Sequence, residues 1–131
     1  MYRAREKQMS IYDNLPPSHG ELCNANRWVR LAAAIDWAGF EKAYSALFAP
    51  GGKVALPARV ALGCRIIQLH YAASDREVVA LVQESPYLQY FLGFESFTDA
   101  VPFSSRTVAR FRARIPDKAV RPAVRLLRSF Q

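Results

Sequence analysis

The chain has 131 residues, 51% of them hydrophobic and 12% aromatic, which suffices for one domain with its own core and excludes a disordered chain. No apolar run approaches the ~18 residues needed to span a bilayer, and the polar start MYRAREKQMS has no signal-peptide core, so membrane and secreted classes are set aside and a cytoplasmic location is expected. The net charge of +7 is localised: residues 103–131 hold seven arginines and Lys118 against Asp117 alone, while residues 1–102 hold ten basic and ten acidic groups.

In chain order, residues 1–22 show no clear periodicity and carry a Pro pair and a Gly in NLPPSHGE, so they read as a tail or strap, with a helical domain over 23–131. Helical structure is expected from near Asn24, where Trp28, Leu31 and Ile35 share one face. Asp36 is an N-cap candidate for WAGFEKAYSALFA, whose stripe is Phe40, Tyr44, Leu47 and Phe48, and PGG (Pro50 to Gly52) ends that helix. Pro57 suits the first turn of PARVALGCRIIQLHYA. Val60, Cys64, Ile67 and Tyr71 line one face of it and Leu62, Ile66 and Leu69 much of the rest, which predicts a buried central helix.

Ser74 with Glu77 three residues on forms a capping box for the next helix, which stops before Pro86. Ser85-Pro86 opens the short aromatic helix PYLQYFLG, closed by Gly93. FESFTDAVP reads as a loop. Ser104 or Ser105 then caps SRTVARFRARI, and Pro116 ends it. Asp117 is a cap candidate for KAVRPAVRLLRSF, which Pro122 kinks or starts. The expected class is all-α: a compact bundle of six or seven short helices with a helix-turn-helix-like basic C-terminal part.

On a helical wheel Arg106, Arg110 and Arg114 fall at about 0°, 40° and 80°, Val108, Phe111 and Ile115 between about 140° and 200°, and Arg112 at about 240°. Arg121, Arg125 and Arg128 form a second stripe beside Lys118, opposite Val120, Val124 and Leu127. Solvated faces usually mix signs, and like charges at i, i+4 oppose the helix by a few tenths of a kcal/mol. Stripes with no acidic partner in their own helix therefore point to an external polyanion, and the arginine fork fits phosphate or a guanine edge. The aromatic residues Tyr87, Tyr90, Phe91 and Phe94 could stack on bases, but their helical spacing makes them core residues. Asp75 and Arg76, in a helix's first turn, read as structural.

Catalytic signals are sparse. The carboxylates are scattered, Cys64 and His70 lie on different sides of one helix, and PGGK lacks P-loop spacing. Two cysteines in unrelated contexts suggest reduced thiols and no metal site, and no cofactor is expected.

The order SDREVVALVQESPYLQYFLGF then VPFSSRTVARFRARI resembles the N-terminal domain of InsH-like bacterial insertion-sequence transposases. Ser74, Asp75, Glu77, Pro86, Tyr87, Leu88, Phe91, Leu92, Gly93, Pro102, Phe103, Thr107, Arg110, Phe111, Arg112 and Arg114 carry that resemblance, with AIDWAGFE and LPARVALGCRIIQLHYA upstream. Ser85 and Ser104 depart from its usual Asn and Asp, but both are still capping residues. The resemblance implies a DNA-binding and assembly domain that recognises terminal inverted repeats on double-stranded DNA, forms a homo-oligomer and resides on the nucleoid when bound. It also implies an Asp-Asp-Glu metal-dependent core, which is expected beyond Gln131. The chain is then an isolated domain, one product of a split element, or a remnant. Arg106, Arg110, Arg112, Arg114, Arg121, Arg125 and Arg128 are the candidate DNA contacts. Neutralising six phosphates would give log K against log salt a slope near about −5. The alternative is a helical interaction or dimerisation module whose basic stripe meets an acidic partner.

Overall fold

The computed structural model describes residues 22–47 and 58–130, and among these it forms seven α-helices and no strand. They are α1 (Arg27–Ala34), α2 (Trp37–Leu47), α3 (Ala58–Tyr71), α4 (Asp75–Glu84), α5 (Pro86–Leu92), α6 (Ser105–Arg114) and α7 (Asp117–Ser129). The expected N-terminal strap, the Leu47 and Phe48 side chains, the PGG stop and the Pro57 start lie outside the described residues.

Local side chains set most helix starts. The Asn26 side chain accepts the Trp28 N–H at 2.8 Å and opens α1. Asp36 accepts the Gly39 N–H at 3.1 Å and opens α2. At α4 both bonds of the capping box form: the Ser74 N–H donates to Glu77 Oε1 at 2.7 Å, and the Glu77 N–H donates to Ser74 Oγ at 3.1 Å. Ser85 Oγ accepts from the Leu88 N–H at 3.2 Å, with Pro86 in the first turn of α5. At the far end Gly93 takes φ 90°, a left-handed conformation that glycine adopts without strain, and the Phe94 N–H returns to the Gln89 carbonyl at 3.0 Å. Ala72 takes φ 52° after α3, where a Cβ costs about 1 kcal/mol.

α3 is the central rod, packed by α2, α4, α5, α6 and α7. Its residues from Val60 to Gln68 are all buried. Burial drives the Cys64 thiol far above its ordinary pKa, so it behaves as a small apolar group. Gly63 lets α5 approach: a Cβ there would overlap the Leu92 side chain. Phe91, fully buried, meets Trp28 edge-on at 4.9 Å and Trp37 at 5.4 Å, which joins α1 and α2 to this core. Leu31, Tyr90 and Phe91 are buried, and Tyr87 and Phe94 pack partly buried against them, as core rather than stacking platforms.

Four expectations need correction. The face assigned to α3 included Tyr71, but Tyr71 is 40% exposed because the helix ends there. Ser104 occupies the N-cap of α6 without capping; its hydroxyl meets Thr107 Oγ1 at 3.5 Å instead. Asp117 is not the cap of α7 but its first residue, since the buried Arg65 guanidinium takes its carboxylate and Pro116 holds the cap position. Pro122 does not start α7: the helix begins at Asp117 and runs through it, with the ring on the exposed side.

Candidate nucleic-acid interface

α6 is held at both ends and along one face. At its entry, the fully buried Gln89 clamps the preceding loop: Nε2 donates to the Val82 and Thr98 carbonyls at 2.9 and 2.6 Å, and Oε1 accepts the Thr98 N–H at 3.0 Å. Phe103 is buried just before the helix. Val108, Phe111 and Ile115 then press into the core, as their spacing requires. At the exit, Arg65 Nε donates to the Ile115 carbonyl at 2.8 Å, satisfying a helix-end acceptor.

The outward side of α6 has a defined layout. Ser105, Ala109 and Ala113 recur every four residues and form a low strip between Arg112 on one edge and Arg106, Arg110 and Arg114 on the other. Small residues let a groove floor come close to the helix axis, and the exposed cations Arg106 and Arg110 beside the strip can reach a strand that borders a major groove. Arg106 and Arg110 are exposed and make no hydrogen bond or ion pair among the described residues.

The other two arginines of α6 are differently placed. Arg114 is exposed but lies near Tyr44, whose phenol burial pushes up to about 12 against the opposing pull of that guanidinium. Arg112 does have an acidic partner, contributed by another helix: its Nε and Nη2 donate to Asp75 Oδ1 and Oδ2 at 3.0 and 2.8 Å. The bond from Arg112, with a second from Gln68, holds the Asp75 carboxyl below its usual range in spite of partial burial.

α7 buries Val120, Ala123, Val124 and Leu127 against α3 and α1. Lys118, Arg121 and Arg125 stay exposed and without an ion pair among the described residues. Arg128 leaves that stripe: Nη2 donates to the His70 carbonyl at 3.2 Å and Nε to His70 Nδ1 at 3.4 Å. Burial, with Arg27 and Arg128 nearby, lowers the His70 pKa and keeps the ring neutral.

Behind these faces runs a polar chain that the periodicity of α3 concealed. Arg65, 2% exposed, also bonds Asp117 and donates Nη1 to Gln68 Oε1 at 2.7 Å. Gln68 Nε2 donates to Asp75 Oδ1 at 2.8 Å and to the Ala73 carbonyl at 3.1 Å. Arg112, Asp75, Gln68, Arg65 and Asp117 thus connect α6, α4, α3 and α7 in one hydrogen-bonded line. No buried side-chain polar atom is left without a partner among the described residues. The single available signal was compositional: Arg65 and Gln68 in a helix otherwise apolar all round must find partners if buried.

Among the described residues no three His, Cys, Asp or Glu side chains cluster closely enough to hold a metal ion, and no helix is long and apolar enough to cross a membrane. The arrangement suits binding of an extended polyanion along an exposed helix face.

Across 87 residues, 66% of the chain, the sequence is 38% identical to the uncharacterized protein ORF8 in the nfe locus of Rhizobium meliloti, and the match spans 42% of that relative's length. No solved structure matches the chain. Residues 10–114, from before α1 to the last residue of α6, match the transposase domain DUF772, and the chain belongs to that transposase-domain family.

Proposed function

We propose that residues 23–131 form a DNA-binding domain that recognises the ends of a mobile element during transposition. The observation that carries this reading is the outward face of α6, a small-residue strip edged by arginines, of which Arg106 and Arg110 have no partner among the described residues. Membership of a transposase-domain family makes double-stranded DNA the expected polyanion, and terminal inverted repeats the expected target. In this reading α6 enters a groove, and Lys118, Arg121 and Arg125 of α7 hold flanking phosphates. Strand cleavage and transfer would belong to a separate Asp-Asp-Glu core, as in the InsH-like transposases that the sequence resembles.

The test is a mobility shift of the full chain on duplexes carrying the element's own ends at about 50 mM salt. Arg110→Glu weakens binding at least about tenfold while leaving the melting temperature within about one degree, because Arg110 is exposed and makes no hydrogen bond or ion pair among the described residues. Absence of any shift from the folded chain would overturn the reading.

A second role, self-association, is favoured by the two large apolar residues left exposed among the described residues, Tyr71 (40%) and Leu126 (39%). Tyr71 borders a groove with Ala73, Ala80 and Leu81 between Glu77 and Glu84. Light scattering on the chain and on Leu126→Glu tests it: a dimer that the substitution dissociates supports the role, and a monomer at every concentration removes it.

A further inference from the structure

We infer that Arg112 is the base-reading arginine of α6, presenting a carboxylate-fixed fork to a guanine in the major groove, whereas Arg106 and Arg110 hold phosphates. The inference rests on the DNA-binding reading above and assigns different tasks to the arginines within it.

The geometry of the guanidinium is the first reason. Asp75 occupies the side edge, using Nε and Nη2. The N–H groups of the end edge, on Nη1 and the other hydrogen of Nη2, make no hydrogen bond among the described residues, and the side chain is 53% exposed. That end edge is the fork that matches guanine O6 and N7.

Fixation is the second reason. Asp75 is itself held by Gln68, and Gln68 by the buried Arg65. The fork is therefore oriented before any ligand arrives, and less side-chain entropy is lost on binding. Among the described residues Arg106 and Arg110 lack such supports, which suits phosphate contacts that tolerate loose geometry.

Charge is the third reason. Asp75 neutralises Arg112. A phosphate approaching that edge meets the Asp75 carboxylate. A guanine edge carries no formal charge and meets only the donors.

The experiment begins by selecting binding sites for the full chain from a random duplex library. The preferred guanine is then replaced by 7-deazaguanine, which lacks N7, or by inosine, which keeps O6 and N7. The wild-type chain loses about 10- to 100-fold on the 7-deazaguanine duplex and little on the inosine duplex. Arg112→Ala and Asp75→Asn bind both duplexes at one reduced affinity, keep the wild-type salt slope, and keep their affinity for unrelated DNA. Arg110→Ala weakens all duplexes alike and flattens the slope by about 1. Melting curves confirm that the variants fold; Arg112→Ala alters an exposed side chain and carries the test if Asp75→Asn is destabilised.

Three results would overturn the assignment: selected sites without a preferred guanine, Arg112→Ala retaining the 7-deazaguanine discrimination, or Arg112→Ala weakening every duplex equally with a flatter slope. The last would make Arg112 a phosphate contact. A wild-type chain that binds no duplex would instead sink the DNA-binding reading itself.

Discussion

α6 and α7 carry nearly the same amino-acid pattern, aliphatic residues on one side and arginines at four-residue spacing on the other, and the molecule employs them differently. α6 is clamped at its entry by Gln89 and at its exit by Arg65, and it leaves Arg106 and Arg110 in solvent with Arg112 locked on Asp75. α7 packs on α3 and α1 and turns Arg128 inward onto the end of α3. An arginine on a solvated face thus serves either the outside or a neighbouring helix end, and wheel position alone does not separate the two.

Helix ends account for much of it. The last carbonyls of a helix lack internal donor partners and carry partial negative charge. Arg128 meets the His70 carbonyl of α3, Arg65 the Ile115 carbonyl after α6, and Arg59 the Tyr90 and Phe91 carbonyls of α5 at 3.1 and 2.9 Å. Burial beneath Trp37 lowers the Arg59 pKa to about 10, still well above neutrality, so it remains a cation at the C-terminus of α5.

The sharpest way to break the contrast is Arg65→Ala, since Arg65 serves both helices at once. It strands the Ile115 carbonyl and the Gln68 amide and leaves a cavity, so a loss of about 3 kcal/mol is expected in urea denaturation. Asp117 is half exposed and adds little to that figure. Pro122→Ala acts on α7 alone and in the opposite direction. The proline deprives the Lys118 carbonyl of its helical donor, so alanine raises stability by about 1–2 kcal/mol, read as a higher melting temperature with α6 binding unchanged. Arg128→Ala removes the cap on α3 and lowers stability by about 1 kcal/mol.

Acid separates the helices further, through two groups with lowered pKa values. The unfolded chain protonates His70 first, so the end of α7 loses stability as pH falls below the ordinary histidine value of 6.5 toward the lower folded value. Asp75 is likewise protonated first in the unfolded chain. Its support of Arg112 is complete above the ordinary aspartate value of 3.8 and is lost as pH falls through the lower folded value. Amide exchange against pH should therefore show loosening near His70 and Arg128 before any at Asp75 and Arg112; the reverse order would contradict these assignments.

The sequence disclosed what local spacing controls. The Ser74 and Glu77 box, the Gly93 stop, the buried α3 and the core faces of α6 and α7 all stand where residue spacing put them. What it did not disclose depends on partners far away in the chain. Arg112 and Asp75 are 37 residues apart, Arg128 and His70 are 58 apart, and Arg65 and Asp117 are 52 apart. Each pair joins two helices far apart in the chain, so no window of a few turns contains the information. The failed Asp117 cap has the same origin: a distant arginine outcompetes a local amide.

On the proposed function, an exposed basic face built around α6 holds DNA. The most direct test is the affinity of the full chain for duplexes carrying the element's ends, titrated with salt from about 50 mM upward. With Arg106, Arg110, Lys118, Arg121 and Arg125 each neutralising one phosphate, log K falls against log salt with a slope of about −4 to −5. A folded chain whose binding is absent, or whose slope is near zero, would contradict the account.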